Sequence, residues 1–374
     1  ETHHPLTTAT HDWTRDPLPD RQRMRASDLY RIRRFLVVQA VFLCTMLENS
    51  GAVHAAVHKS HAITLYDEPP KYGPNFKHFD YVNPDAPVGG TLRIAPTQES
   101  SFDSFNPFIA KGDAISTGSV ETLMVASEDE PFTNYGLIAE TVEWPDDRSW
   151  VIFNLNPRAR WHDGSPITAD DVVWTFNILV EKGSPQYRFY YGSVESVEKL
   201  DELRVRFAFS ESNNRELPLI VGQLPVLPRD YWANRDFSKT TLEPPLGSGP
   251  YRVEAYEAGR YVVQTRVDDY WGWDHPTRVG QFNFGKIRTD FYRDVTAIRL
   301  ALKSGKLDFR HENQAKAWAL DYDVDVVRDG LLIKERVAHQ APQGMQGTVL
   351  NTRREVFADA RVREAIGYAF DFEW

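Results

Sequence analysis

The sequence predicts a mixed α/β protein, and three observations carry that expectation. Residues 150–174 (WVIFNLNPRARWHDGSPITADDVVW) read as an alternating strand, a tight polar turn and a capped helix. Residues 192–285 are dominated by period-two alternation, as in Leu203, Val205, Phe207 and Phe209 between Arg204, Arg206 and Ala208. After Phe284 the period changes to that of a helix, with a stripe of Val295, Ile298 and Leu302 preceded by Asp290 and stopped by Gly305.

A chain of 374 residues is too long for one ordinary core and leaves room for two or three domains. Hydrophobic residues at 41% and charged ones at 26% are ordinary for a globular protein, so disorder is not the default. A net charge of −10 leaves no basic stripe to neutralise phosphates and argues against nucleic acid as a partner.

Residues 1–23 show no periodicity and read as upstream or disordered sequence. From Met24 follow a cationic segment (MRASDLYRIRR), thirteen mostly apolar residues (FLVVQAVFLCTML) and a small-residue end (ENSGAVHAA), the three regions of a secretory signal peptide. Thirteen residues are too few to cross a hydrocarbon core of about 30 Å. Residues 24–55 are therefore expected to be removed, leaving a mature start near Ala56. The single cysteine, Cys44, lies in this segment behind Leu43, whereas a lipoprotein signal needs a small residue there. The mature chain would then have neither disulfides nor thiolate metal sites.

Along the mature chain, residues 62–90 are rich in Pro, Gly and Asn and should wrap a surface. Gly89-Gly90 opens a strand with Leu92 and Ile94 on one face and Arg93 on the other. Its following loop, TQESSFDSFNPF, is polar and aromatic, and such strand-end loops commonly hold ligands. Residues 116–126 read as a short helix with Val120, Leu123 and Met124 inward. Val151, Phe153 and Leu155 alternate as a strand, and Trp161–Pro166 is a turn. Thr168 caps the next helix with Asp171 in the capping-box position; Val172, Phe176 and Leu179 form its buried stripe, flanked by Val173 and Val180, and Gly183 ends it. Residues 251–256 and 261–266 pair as a hairpin turning at Glu257–Arg260. A last helix starts after Asp359 and should bury Val362, Ile366 and Phe370; it is still running at Trp374, which reads as a truncated chain.

Reactive motifs are weak. His162-Asp163 sits in a turn where the two side chains diverge, and no Gly-x-Ser-x-Gly elbow accompanies it. Gly247-Ser248-Gly249 precedes a strand, whereas a phosphate loop feeds a helix. Asp321, Asp323 and Asp325 lack the Gly and distal Glu of a calcium loop and read as a solvated face. Neither a cofactor nor a metal site is expected.

The segment around 150–174, together with PPLGSGPYRVEAYEAGRYVVQTRVDDYW (244–271), RDVTAIRLALKSGKLDF (293–309) and VLNTRREVFADARVREAIGYAFD (349–371), resembles the family 5 extracellular solute-binding proteins of bacterial ABC importers. KHFDYVNPDAPVGGTL (77–92), ENQAKAWALDYD (312–323), MQGTVLNTRR and the final AFDFEW are similar to its YejA-like oligopeptide-binding branch. The resemblance implies a two-lobed periplasmic-binding-protein fold of class II type with a small inserted domain and an incomplete second large lobe. On this mapping the first lobe spans 62–117 and 191–285, the small domain 118–190, and the start of the third lobe 286–374. It further implies a periplasmic receptor, monomeric when complete, that takes an oligopeptide and delivers it to an inner-membrane permease and its ATPase subunits. The candidate contacts are Glu99, Ser100, Ser101 and Phe102 in the strand-end loop, Ser248, the aromatics Tyr190, Tyr191, Tyr270 and Trp271, and His311 with Glu312. The family also hosts nickel chelates, oligosaccharides and peptide antibiotics as cargo, and fold alone does not choose among them. A secreted hydrolase is the reading from another class.

Overall fold

The structure, a computed structural model, describes residues 56–338, 344 and 347–371. The expected signal peptide and the segment before it lie outside the described residues.

Twelve strands are formed: β1 (Val57–Ser60), β2 (Ala62–Thr64), β3 (Thr91–Ile94), β4 (Met124–Ala126), β5 (Thr133–Gly136), β6 (Ala139–Pro145), β7 (Trp150–Leu155), β8 (Val194–Asp201), β9 (Arg204–Phe209), β10 (Tyr251–Glu257), β11 (Tyr261–Arg266) and β12 (Lys286–Asp290), counted among the described residues. They assemble into a five-stranded sheet in the order β1-β6-β7-β9-β8, a four-stranded sheet β10-β11-β12-β3 and a three-stranded sheet β2-β5-β4. The named pairs are antiparallel except β12 with β3, which run parallel.

Helix α1 (Ala169–Lys182) lies over β8 and β9. Its start follows the capping logic of the sequence: the Asp171 carboxylate accepts from the Thr168 backbone N–H at 2.9 Å and from its hydroxyl at 3.0 Å. Gly183 does end it, but with φ −68° and not in the left-handed region. Glycine is needed there for space, since a Cβ would fall 2.4 Å from the Leu179 carbonyl oxygen. The main core forms where the inward residues Val151, Phe153 and Leu155 of β7 and Val205, Phe207 and Phe209 of β9 meet Val172, Phe176 and Leu179 of α1. Phe207 is its hinge point, edge-on to Phe153 at 5.6 Å and to Phe176 at 5.7 Å.

The structure departs from the sequence expectations in five places. Residues 116–123 form no helix. Val125 and its neighbours instead build β4, although Leu123 and Met124 are buried as expected. The stretch 192–285 also contains two helices, α2 apart from them at Pro185–Tyr190: α3 (Glu216–Gly222) and α4 (Arg229–Trp232). β12 was hidden in KIRTD, whose charged residues mask alternation, and the helix after it, α5 (Val295–Lys303), is capped by Asp294 and not by Asp290. Beyond α6 (Ala315–Leu320), α7 (Asp325–Arg328) and α8 (Glu355–Ala358) comes α9 (Ala360–Tyr368), on which Val362 and Ile366 stay exposed, as does Phe370 just after it. Lastly, sheet boundaries cross the expected division: β8 and β9 pair with β7 across residue 190, and β12 pairs with β3 and β11 across residue 285.

Of residues 62–90, the stretch with Tyr72, Phe76 and Phe79 packs on the three-stranded sheet as an aromatic cluster, while Val82–Gly89 passes beside residues 280–283. Tyr72 and Phe79 pack on Tyr135 of β5 at 5.7 and 5.5 Å.

Truncating the hinge-point ring tests this core. Phe207→Ala should cost about 3–5 kcal/mol, whereas Phe189→Ala, at a ring that is 84% exposed, should change stability by less than about 0.5 kcal/mol. Urea unfolding followed by tryptophan fluorescence separates the two, and equal effects would count against the packing described.

Candidate ligand-binding site

Parallel strands point their carboxyl ends, and the loops that follow, toward one side of a sheet. Here β3 and β12 do so, releasing the loop 95–102 and the turn 291–294 that opens α5. A third segment joins them. Residues 308–313 run beside 93–98: the Asp308 N–H donates to the Arg93 carbonyl at 2.8 Å, Arg310 Nη2 donates to the Thr97 carbonyl at 3.1 Å, and Gln98 Nε2 donates to Asn313 Oδ1 at 3.5 Å. The structure thus brings together the strand-end loop and the His311–Glu312 segment, two of the sequence candidates. Glu99, Ser100, Ser101 and His311 present exposed side chains at this end.

Glu312 does not. Its side chain is 3% exposed, and the carboxylate sits between two guanidiniums. Oε2 accepts from Arg299 Nε at 3.0 Å, from Arg310 Nε at 3.1 Å and from the Tyr322 hydroxyl at 2.8 Å, while Oε1 accepts from the Gln314 N–H at 3.1 Å. Burial by itself pushes the carboxyl up, but the hydrogen bonds from Arg299, Arg310 and Tyr322 outweigh it and hold the pKa down to about 2. Glu312, expected as a contact, thus has its carboxylate turned inward, where it holds the two arginines in place. Arg299 and Arg310 were invisible as site residues in the sequence, because only the fold shows that a residue of α5 and one past Phe309 share a carboxylate.

Five other candidates also pack into the fold, four of them buried and Trp271 half-buried. Phe102 is buried against Phe105 at 5.5 Å and Phe291 at 5.1 Å, so it anchors the loop from beneath. Ser248 is fully buried; its Oγ accepts from the Glu121 N–H at 3.0 Å and its carbonyl from Trp271 Nε1 at 3.0 Å. Tyr270 is buried and donates its hydroxyl to Glu121, which forms a 2.5 Å ion pair with buried Arg278. Burial and the Glu121 charge together push the Tyr270 phenol well above its ordinary value. Tyr191 is buried against Phe176 at 5.3 Å. Trp271, half-buried, packs against the main core with its indole N–H already used.

Tyr190 is exposed and borders a separate cavity of about 380 Å³ with Pro107, Gln186 and Gln223. Among the described residues no hydrogen bond or ring contact joins it to the strand-end loop. The turn histidine His162 hydrogen-bonds to the Gly247 and Gly249 carbonyls and serves the chain's packing. No group of three or more His, Cys, Asp or Glu that could hold a metal occurs among the described residues. Asp323 and Asp325 instead pair with Arg328.

The depressed Glu312 value fixes a sign. Its contribution is present in full above the ordinary glutamate value of 4.5 and is lost as pH falls toward 2. Glu312→Gln, which leaves two buried guanidiniums short of a counter-charge, should cost about 3–5 kcal/mol at pH 7. Urea unfolding of both proteins at pH 7 and pH 3 should show that difference shrinking at the lower pH; a difference independent of pH would refute the assignment.

The chain is similar to known proteins in sequence and in fold. Peptidoglycan-binding protein YepA of Agrobacterium fabrum is 41% identical over 332 residues, covering 84% of this chain and 54% of its own length. YejA of Escherichia coli K12 is 40% identical over 341 residues, covering 91% and 56%. A YejA of Agrobacterium fabrum named for peptide binding is 42% identical over 314 residues, covering 81% and 51%. The chain spans about half the length of the curated relatives it matches. Among solved structures, the fold is similar to NikZ of Campylobacter jejuni in complex with Ni(L-His), with a TM-score of 0.56 at 19% identity over 76% of this chain and 54% of that one. It is also similar to the oligopeptide-binding protein AppA of Bacillus subtilis in complex with a nonapeptide, with a TM-score of 0.53 at 20% identity over 64% and 47%. Residues 134–374 match the bacterial extracellular solute-binding proteins, family 5 middle, and the chain belongs to that family.

Proposed function

We propose that this chain is the greater part of the ligand-capturing half of a periplasmic oligopeptide receptor, the solute-binding subunit of an ABC importer. The observation that carries the reading is the convergence of the strand-end loop after β3 with residues 308–313 at the carboxyl end of a parallel strand pair. An extended peptide laid there would pair with backbone groups of the loop, while Glu99, Ser100, Ser101 and His311 face it. The peptide-binding name of the Agrobacterium YejA supports a peptide over other cargo; YepA is named for peptidoglycan binding, and the likeness to AppA, at 20% identity, speaks for the fold alone. The likeness to NikZ, at 19% identity, speaks for the fold and not for a nickel chelate.

The sheets suggest a division of labour. The five-stranded sheet with α1 would form the small domain, extended to residue 209, and the four-stranded sheet would form the capturing lobe. The permease and its ATPase subunits would be met only by the complete receptor, and hydrolysis of the peptide plays no part in this reading.

Backbone pairing distributes affinity over several hydrogen bonds, each worth roughly 0.5–1.5 kcal/mol net. In the protein as its full gene encodes it, Glu99→Ala should weaken binding of a mixed oligopeptide pool by about tenfold or less. Ser101→Pro should weaken it more, because it removes a backbone donor and restricts Ser100. Titration calorimetry reads both, and unchanged affinity in both variants would place the site elsewhere.

Export is tested separately. Charged residues in place of Leu36, Val37 and Val38 should hold the protein in the cytoplasm of a Gram-negative host, as judged by fractionation and N-terminal sequencing. Undiminished periplasmic recovery of that variant would remove the signal-peptide reading of residues 24–55.

A further inference from the structure

The strand-end site contains a buried cation whose hydrogen bonding is incomplete. The Arg310 side chain is only 2% exposed. Its Nε is taken by Glu312 and one Nη2 contact by the Thr97 carbonyl, but Nη1 has no hydrogen-bond partner among the described residues. The charges do not balance either. Glu312 is shared between two guanidiniums, and of the two only Arg299 has a second carboxylate, Asp321 at 3.5 Å, besides Gln314 at 2.7 Å.

Arg310 lines a cavity of about 240 Å³ beside Glu312, Trp318, Tyr322 and Leu332. Its other acidic wall residues are Asp308, already engaged by Arg93 at 2.5 Å, and Glu335 on the outer segment; the cation beside Glu335, Lys334, lies over the Trp318 ring at 4.5 Å. That outer wall is thinly packed, since Ile333 and Val337 are largely exposed. An unsatisfied buried charged donor is costly, and a guanidinium matches the geometry of carboxylates and phosphates, of which a peptide brings the carboxylate.

We propose that this cavity seats one carboxylate of the bound peptide against Arg310 Nη1, so that the receptor selects peptides carrying an acid at that place. The proposal rests on the peptide reading above. Nη1 is closed to solvent in this structure, so the carboxylate reaches it by displacing the outer wall at 332–337. The acid is either a Glu or Asp side chain or the peptide's own terminus; both offer the same two oxygens.

The test uses the complete protein and alanine tetrapeptides in two sets: free acid against C-terminal amide, and Glu against Gln at each position in turn. Calorimetry should show one removal of a carboxylate weakening binding by about tenfold or more, the strength of a charge-assisted hydrogen bond. Sensitivity to amidation identifies the terminus, and sensitivity to Glu against Gln identifies a side chain. In Arg310→Met the same removal should cost less than about twofold. Where that variant does not unfold cooperatively, Arg310→Lys, which keeps the charge and loses the fork, should cut the discrimination at least about threefold. Peptides that bind with no dependence on either carboxylate overturn the subsite and leave the peptide reading standing. Discrimination that survives unchanged in the Arg310 variants also overturns it. Failure of all the peptides to bind overturns the peptide reading, and the subsite with it.

Discussion

The arrangement depends on one buried ion pair, Glu121 with Arg278, both side chains under 10% exposed. Arg278 reaches Glu121 through Nε at 3.1 Å and Nη2 at 2.5 Å, and Tyr270 donates to the same carboxylate. A buried pair of this kind adds little net stability by itself, because desolvation offsets attraction, but losing one partner strands the other. Its value is positional. The Glu121 N–H is held by Ser248 and its carbonyl accepts from Val226, so one residue fixes three distant stretches of chain. Around it the chain passes too close for side chains: a Cβ on Gly247 would lie 2.3 Å from the Ser119 carbonyl oxygen, and one on Gly249 2.8 Å from that of Gly118. Gly247 in turn accepts from the His162 N–H, which ties the turn before α1 to the start of β10.

This knot explains why Ser248, Tyr270 and Trp271 attract attention in a sequence and yet face inward. A serine between two glycines and a Tyr-Trp pair look like a site because close approach and aromatic area are features of ligand pockets and of tight internal junctions alike. Local patterns distinguished elements well where a single period ruled, as in β7, α1 and the β10–β11 hairpin. They failed where tertiary pairing overrode the pattern. Residues 116–123 have helical spacing but lie against Leu224 and Val226, and the charged KIRTD is a strand because β3 and β11 flank it.

At the candidate site the sequence marked two segments that the fold brings together, but not which of their side chains turn inward. The loop after Ile94 was legible from a strand followed by a polar stretch, and His311-Glu312 from its place after Phe309. What could not be read was the company Glu312 keeps. Arg299, Arg310 and Tyr322 come from α5, from the segment beside β3 and from the end of α6, and they converge only once the four-stranded sheet has formed. The carboxylate that seemed available to a ligand is consumed internally, and the group left wanting a partner is the arginine two residues before it.

The contact between Asp308 and Arg93 has a consequence for how the protein behaves among its own copies. β3 is the outermost described strand of its sheet, a position that invites another chain to add a strand. Asp308 occupies both backbone groups of Arg93 there: its carboxylate takes the N–H at 2.7 Å and its own N–H takes the carbonyl. A stranger approaching that edge finds the ladder already filled at its middle rung and a charged pair standing over it, and is turned away from self-association.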